Sequence, residues 1–249
     1  ELSITHGQFG SIYASATLLS SLILIWIGKK IDDMHVFNYS ILVIILLSFA
    51  CYFFSTIKII PILFFGIFLL RLSGQGLMSH TATTTVSRYF EKTRGKALSI
   101  TWLGLSAAEF ILPVLMVFLL TLTSWRNIWI FISICVLIIL PIISFILVKK
   151  VKLNSRENSR SYKQKINTKI KQWKRIEVIK DYRFYIVCAN MLAMPWIATG
   201  TFVYQSFILE SKNWGPYVIA QSFMAYSILS VLTLFISGLL IDKFTSRKI

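Results

Sequence analysis

Two charged residues lie inside segments of the sequence that are otherwise apolar, and side chains of these types bind ions or protons. Arg71 and Glu109 are the only lysine, arginine, aspartate or glutamate residues well inside such segments. At the centre of an isolated membrane helix, each charge would raise the free energy of insertion by about 2.5–3.5 kcal/mol or more, so such residues usually face a cavity or a partner. At about 1.5 Å per residue, they lie roughly 15 and 18 Å from corresponding ends of their segments. We therefore expect both charges at nearly one depth in a membrane.

An arginine and a carboxyl group at one depth allow two interpretations. In the first, Arg71 attracts an anionic group of a substrate, while Glu109 carries a coupling proton or balances the charge of Arg71. In the second, the two residues form a structural ion pair without a ligand. His80, on the same segment as Arg71, could relay a proton or could be a satisfied polar residue near the end of its helix.

Further polar and helix-breaking residues interrupt the apolar segments, above all the sixth. Proline and glycine are tolerated in membrane helices where neighbouring groups or a cavity satisfy the backbone. These residues could line a binding site near the midplane, and helix packing is the competing explanation for each of them. The candidates are Gln75, Asn190, Pro195, Trp196, Gly200, Tyr204, Gln205, Gln221 and Tyr226.

The elements that must position these residues are hydrophobic helices. The chain has 249 residues, of which 56% are hydrophobic and 14% charged, whereas about 25% of the residues of a soluble domain are charged. About 20 apolar residues are needed for a helix to cross the hydrocarbon core. The sequence therefore predicts an all-α integral membrane fold with about seven spans, at residues 9–28, 38–57, 61–84, 97–121, 127–148, 184–208 and 217–241.

The basic residues predict the orientation of these spans. Of the 26 lysines and arginines, 22 lie in one set of alternating loops and three in the other, and Arg71 lies within a span. Cytoplasmic loops carry the excess of lysine and arginine. We therefore expect the loops at 29–37, 87–96, 149–183 and 243–249 to be cytoplasmic. This asymmetry explains the net charge of +16 without a nucleic-acid partner.

One short pattern occurs at the ends of two hydrophobic segments. Gly28 and Asp32 end the first segment, and Gly238 and Asp242 end the seventh, at an offset of 210 residues. A glycine near a helix end lets a neighbouring helix approach closely. A carboxylate just beyond it can accept N–H bonds from a facing helix N-terminus or pair with a cytoplasmic arginine. Such contacts can be made and broken, which favours a gate, and the alternative is an ordinary interfacial aspartate that caps a loop.

The repeated pattern resembles the signature loop of the major facilitator superfamily, Gly-x-x-x-Asp-(Arg/Lys)-x-Gly-(Arg/Lys)-(Arg/Lys). The second copy is the better match, because Lys243, Arg247 and Lys248 follow its glycine and aspartate. The first copy departs from the signature, with Asp33, Met34 and His35 where basic and small residues are expected.

Two further stretches carry the same resemblance. The segment from Arg71 to Gly76 looks like the arginine motif of the family's fourth helix, and residues 88–97 are similar to the basic loop that follows that helix. Gly104, Pro113 and the Trp125–Arg126 pair are similar to the monocarboxylate and oxalate–formate branch.

The resemblance implies that the chain corresponds to helices two to eight of a twelve-helix bundle, as a piece of a longer protein. Residues 1–148 would form the N-terminal half without its first helix. Residues 149–183 would form a basic cytoplasmic linker, and residues 184–249 would begin the C-terminal half. Gly28, Asp32, Gly238, Asp242, Lys243 and Arg247 would belong to the gating motif.

The expected function is secondary active transport of a small solute, such as a carboxylate, by alternating access and coupling to an ion gradient. We expect a small-molecule substrate, a lipid bilayer as surroundings, a monomer and a location in the bacterial inner membrane. No cofactor or metal is expected, since Cys51, Cys135 and Cys188 lie far apart in apolar segments. The spans contain no metal-ligand spacing or nucleophile–base set that would favour an enzyme.

One alternative remains, a seven-helix receptor or light-driven protein. Proteins of that class have seven spans and begin on the outer side of the membrane, as expected for this chain. Against it, the last span has no lysine to hold retinal, and a receptor gives no reason for the repeat.

Overall fold

The computed structural model describes residues 2–90, 94–148 and 175–244, and over these residues it contains helices and no strand. This confirms the predicted all-α fold. The α-helices are α1 (His6–Ile27), α2 (Val36–Ser55), α3 (Ile60–Leu70), α4 (Ser79–Tyr89), α5 (Arg94–Leu122), α6 (Trp125–Val148), α7 (Arg175–Lys180), α8 (Tyr182–Val203), α9 (Gln205–Lys212) and α10 (Pro216–Phe244). A 3-10 turn at Gly28–Asp32 extends α1, and a π-helical segment at Arg71–Met78 joins α3 to α4.

Among the residues that the structure describes, seven helical stretches are long and apolar enough to cross a membrane, which agrees with the predicted number. They run over His6–Asp32, Val36–Ser55, Ile60–Tyr89, Gly95–Leu122, Trp125–Ile146, Tyr182–Thr201 and Pro216–Leu234.

Side-chain caps explain where several spans begin. At α1 the Thr5 hydroxyl accepts from the Gln8 N–H over 3.2 Å, and the Gln8 side chain accepts from the Thr5 N–H over 2.9 Å. This capping box satisfies backbone donors that the helix leaves unpaired, so the first span begins at His6 instead of residue 9. The side chain of Asp181 likewise accepts from the Arg183 N–H over 2.9 Å at the start of α8.

The sixth span differs from the prediction in where it is interrupted. The helix α8 continues through Pro195 and ends at Val203, and a turn at Tyr204 separates it from α9. The predicted span 184–208 therefore crosses a helix boundary. Proline can remain inside a membrane helix when the carbonyl that loses its donor finds another partner, so Pro195 did not by itself fix the break.

The helices form two compact units. One contains α1 to α6 together with α10, and the other contains α7 to α9. The predicted division at 1–148, 149–183 and 184–249 stays a prediction. Most of the predicted linker lies outside the described residues.

The first unit has its buried core where α1, α2 and the third span meet. One cluster of buried side chains comprises Ile31, Tyr39, Val43, Leu72 and Leu77, and a second comprises Ala16, Ile57, Leu63 and Ile67. A buried polar contact joins α2 to α6. The hydroxyls of Ser48 and Ser133 lie 3.0 Å apart, and each also donates to the other's carbonyl, over 3.0 and 2.8 Å.

Candidate functional site

The third span changes its helical form at the residues that the sequence singled out. Between α3 and α4, the π-helical segment begins at Arg71 and includes Gln75 and Gly76. A Cβ atom added at Gly76 would lie 3.3 Å from the Arg71 carbonyl oxygen and 3.3 Å from a methyl group of Leu24. Glycine therefore lets the wider turn pack against α1. Single turns of π-helix occur frequently at functional sites.

The Arg71 side chain is half-buried against two residues of α1. Its Nε donates to the Thr17 hydroxyl over 3.2 Å, and its guanidinium carbon lies 4.8 Å from the centre of the Tyr13 ring. Tyr13 and Thr17 are four residues apart and therefore share one face of the helix. The cation–π contact and the hydrogen bond orient the guanidinium. Within the described residues, its terminal nitrogens have no hydrogen-bond acceptor.

Glu109 has different surroundings from Arg71. It is half-buried on α5 and interacts electrostatically with Tyr226 of α10. One helical turn away, the hydroxyls of Ser106 and Ser230 lie 3.4 Å apart across the same two helices. The described residues contain no ion pair between Arg71 and Glu109, so the structural pair considered from the sequence is not formed. The helix of Glu109 instead packs against α10, which carries Tyr226.

A polar contact joins the end of α1 to α4. The His80 Nε2 lies 3.1 Å from the Gly28 carbonyl oxygen, and the His80 Nδ1 lies 3.4 Å from the Thr84 hydroxyl. A Cβ atom at Gly28 would lie 3.4 Å from the His80 ring, so glycine permits the close approach. Both ring nitrogens of His80 therefore have a polar neighbour, and its role in proton transfer stays a prediction. We call Gly28, His80 and Thr84 the His80 clasp.

Beside the His80 clasp, Asp32 forms an ion pair with Arg88 at the end of α4. This is the pairing with an arginine that the sequence allowed for the first copy of the repeat. The side chains of Asp32 and Arg88 are 52% and 40% exposed, so the pair lies at the surface of the unit. In the second copy, Gly238, Asp242 and Lys243 fall on α10, but their side-chain contacts and Arg247 lie outside the described residues.

The remaining candidates are scattered. Gln75 and Gln221 are exposed. In the second unit, Asn190 donates to the Ile186 carbonyl over 2.9 Å, Tyr204 is exposed and Gln205 is half-buried.

Sequence reasoning missed Tyr13, Thr17 and Thr84 and did not single out Arg88 as the partner of Asp32. Tyr13 and Thr17 are polar residues at helical spacing in an apolar segment. That signal could have nominated them, but it could not name Arg71 as their partner.

Comparison with known proteins gives one match. The family model of the Major Facilitator Superfamily matches residues 1–249, the whole chain. No curated protein matches, and no solved structure matches. Members of this family are membrane transporters and not enzymes. With seven helices suited to crossing a membrane, the chain is an integral multi-pass membrane protein that belongs to the Major Facilitator Superfamily.

Proposed function

We propose that this protein is a secondary active transporter of small organic anions, working as a monomer by alternating access and driven by an ion gradient. The observation that carries the proposal is the half-buried Arg71, whose terminal nitrogens have no acceptor within the described residues. A receptor or light-driven protein is not favoured, since the chain belongs to a family of transporters.

The geometry at Arg71 suits a carboxylate. A guanidinium binds a carboxylate through two parallel N–H bonds. Thr17 occupies the Nε edge, and the guanidinium carbon lies over the Tyr13 ring. The terminal nitrogens are left for a ligand. The substrate class also agrees with the sequence resemblance to the monocarboxylate and oxalate–formate branch. Glu109, which does not neutralise Arg71, is proposed to carry the coupling proton.

Uptake by the full-length protein in proteoliposomes tests the role of Arg71. Labelled formate, oxalate and lactate would be compared with a neutral sugar and a cationic amine of similar size. We expect saturable uptake of at least one carboxylate, reduced about 100-fold or more by Arg71→Ala, since a charged hydrogen bond and its geometry are both lost. Arg71→Lys should retain the charge but lose the two-point contact with the carboxylate, so its uptake should lie between that of the wild type and that of Arg71→Ala.

One further variant tests how Arg71 is positioned, and another is a control for the loss of a positive charge. Thr17→Val removes the acceptor of Arg71 Nε and should raise KM about fivefold, as loss of one hydrogen bond does. Lys58→Ala removes an exposed positive charge outside the site and should leave uptake unchanged. Carboxylate uptake at the wild-type rate by the Arg71→Ala protein would contradict the proposal.

A further inference from the structure

The His80 clasp is placed where α1 changes to a 3-10 turn. The carbonyl that His80 contacts belongs to Gly28, the first residue of the turn Gly28–Asp32. Such 3-10 turns are frequent at the C-terminal ends of helices, where the last carbonyl groups lack partners within the helix. The same turn carries Asp32, whose partner Arg88 lies two helical turns beyond His80 on α4. One face of α4 therefore contacts both ends of the turn.

The two ring contacts define the proton positions on a neutral His80. A carbonyl oxygen can only accept, so Nε2 must carry the hydrogen that is donated to Gly28. The Nδ1 atom then accepts from the Thr84 hydroxyl. If the ring gains a second proton, Thr84 can rotate its hydroxyl and accept from Nδ1 instead. Both contacts survive protonation, and the bond to Gly28 becomes charge-assisted and about twice as strong.

Other titratable or charged groups lie on the elements that pack against α4. Their contributions to a pH response must be distinguished from that of His80. Histidine is the side chain whose charge ordinarily changes between about pH 5 and pH 8. His35 is therefore the main competing group, because its Nδ1 accepts from the Phe37 N–H over 3.3 Å at the start of α2, a contact that protonation would break. Among the described side chains, the remaining groups are Lys29, Lys30, Asp32 and Asp33 at the turn, Tyr39, Cys51 and Tyr52 on α2, Arg71 on the π-helical segment, Arg88 and Tyr89 on α4, and Lys96 and Glu109 on α5.

We propose that His80 is a proton-sensitive positioning residue, which orders the Gly28–Asp32 turn more firmly when its ring is protonated. Because the turn presents Asp32 to Arg88, the proton on His80 controls how long this ion pair persists. The consequence for transport, a rate that depends on pH through His80, rests on the proposed function. The ordering of the turn does not.

Hydrogen exchange on the full-length protein in lipid nanodiscs tests the ordering directly. Protection of the backbone amides in residues 28–34 would be measured at pH 5.5 and 7.5, each corrected with the corresponding unfolded peptide. All variants would carry His35→Asn, which retains a capping side chain and removes the second imidazole. We expect about fivefold greater protection at pH 5.5, from the stronger bond to Gly28.

The informative variant is His80→Gln, whose amide can still donate to Gly28 but does not titrate. In this variant, the protection of the amides in residues 28–34 should resemble that in the protein with neutral His80 and should be the same at both pH values. His80→Ala should lower protection at both. Equal protection at the two pH values with His80 present, or a full pH response in His80→Gln, would overturn the proposal.

Uptake measured over the same pH interval separates this inference from the proposed function. The His80→Gln protein should lose the part of the pH dependence that the His80 protein shows between pH 5.5 and 7.5. If no carboxylate is transported at any pH, the proposed function fails, while the exchange measurement still decides the role of His80.

Discussion

At the scale of single residues, the charged side chains of the first unit differ in how they are satisfied. Arg71 is held by a hydroxyl and an aromatic ring, neither of which neutralises its charge. Asp32 and Arg88 neutralise each other in a largely exposed pair. A half-buried charge without a countercharge among the described residues is costly in a membrane, which favours a ligand-binding role for Arg71. An exposed pair costs little to break, which suits a contact that forms and separates.

The Asp32–Arg88 pair gives a prediction that separates stability from transport. Exposed ion pairs contribute about 0–1 kcal/mol to stability, so Asp32→Asn and Arg88→Gln should each change the free energy of unfolding in detergent by no more than about 1 kcal/mol. If the pair belongs to a gate, uptake should fall about tenfold in each variant, and the exchanged pair Asp32→Arg with Arg88→Asp should recover part of it. Uptake at the wild-type rate in both single variants would exclude a gating role.

At the scale of elements, close approach between helices depends on a few glycines. Gly66 in α3 is the tightest of them, because an added Cβ atom would lie 3.0 Å from the Phe54 ring and 3.2 Å from Ile57. Phe54 has little freedom to move away, since its ring lies between Trp129, at 4.7 Å, and Trp125, at 6.4 Å between centroids. The contact between α2 and α3 therefore favours a residue without a side chain at this position.

Substitution of two glycines by alanine tests this packing. Overpacking typically costs about 1–3 kcal/mol, and alanine regains up to about 1 kcal/mol of helix propensity. We expect Gly66→Ala to lower the free energy of unfolding by about 1–2 kcal/mol in detergent. Gly104→Ala is the matched control, because nothing lies within 4 Å of its added Cβ atom, and it should be neutral or slightly stabilising. If the two substitutions changed the free energy of unfolding equally, helix propensity and not packing would dominate the effect.

At the scale of the whole molecule, the distribution of basic residues predicts which ends of the spans meet the cytoplasm. The structure confirms seven helices suited to crossing a membrane, and their sidedness stays a prediction. The residues that decide it are the 22 lysines and arginines in one set of loops against three in the other. The His80 clasp and the Asp32–Arg88 pair lie at the predicted cytoplasmic ends of the first and third spans.

Labelling of single cysteines from one side of the membrane tests this orientation. In a protein with Cys51, Cys135 and Cys188 replaced by serine or alanine, cysteines at Lys30 and Lys58 would be treated with an impermeant maleimide in intact cells. The positive-inside rule predicts that position 58 reacts immediately and that position 30 reacts only after permeabilisation. The reverse pattern would show that the orientation is wrong.

The candidate site was predictable from the sequence only in part. Arg71 and Glu109 stood out because a charge in an apolar segment is conspicuous whatever its neighbours are. Thr17 did not, since a threonine is an ordinary residue of a membrane helix until packing places it beside a charge. Tyr226 was a candidate as a polar residue, but the sequence did not connect it with Glu109. The matching depths of Arg71 and Glu109 suggested a pair, but depth fixes only one coordinate. The Arg71 side chain contacts α1, whereas the helix that carries Glu109 packs against α10.

Residue order alone predicts that the chain is helical, that it crosses a membrane about seven times and which residues carry charge within it. These properties follow from hydropathy summed over about 20 residues, which does not depend on how helices are arranged. The folded chain was needed to reveal the π-helical form of Arg71–Met78, the break at Tyr204, the Asp32–Arg88 pair and the His80 clasp. Each of these depends on contacts or backbone geometry that local sequence leaves open, because helix–helix contacts join residues far apart in the chain.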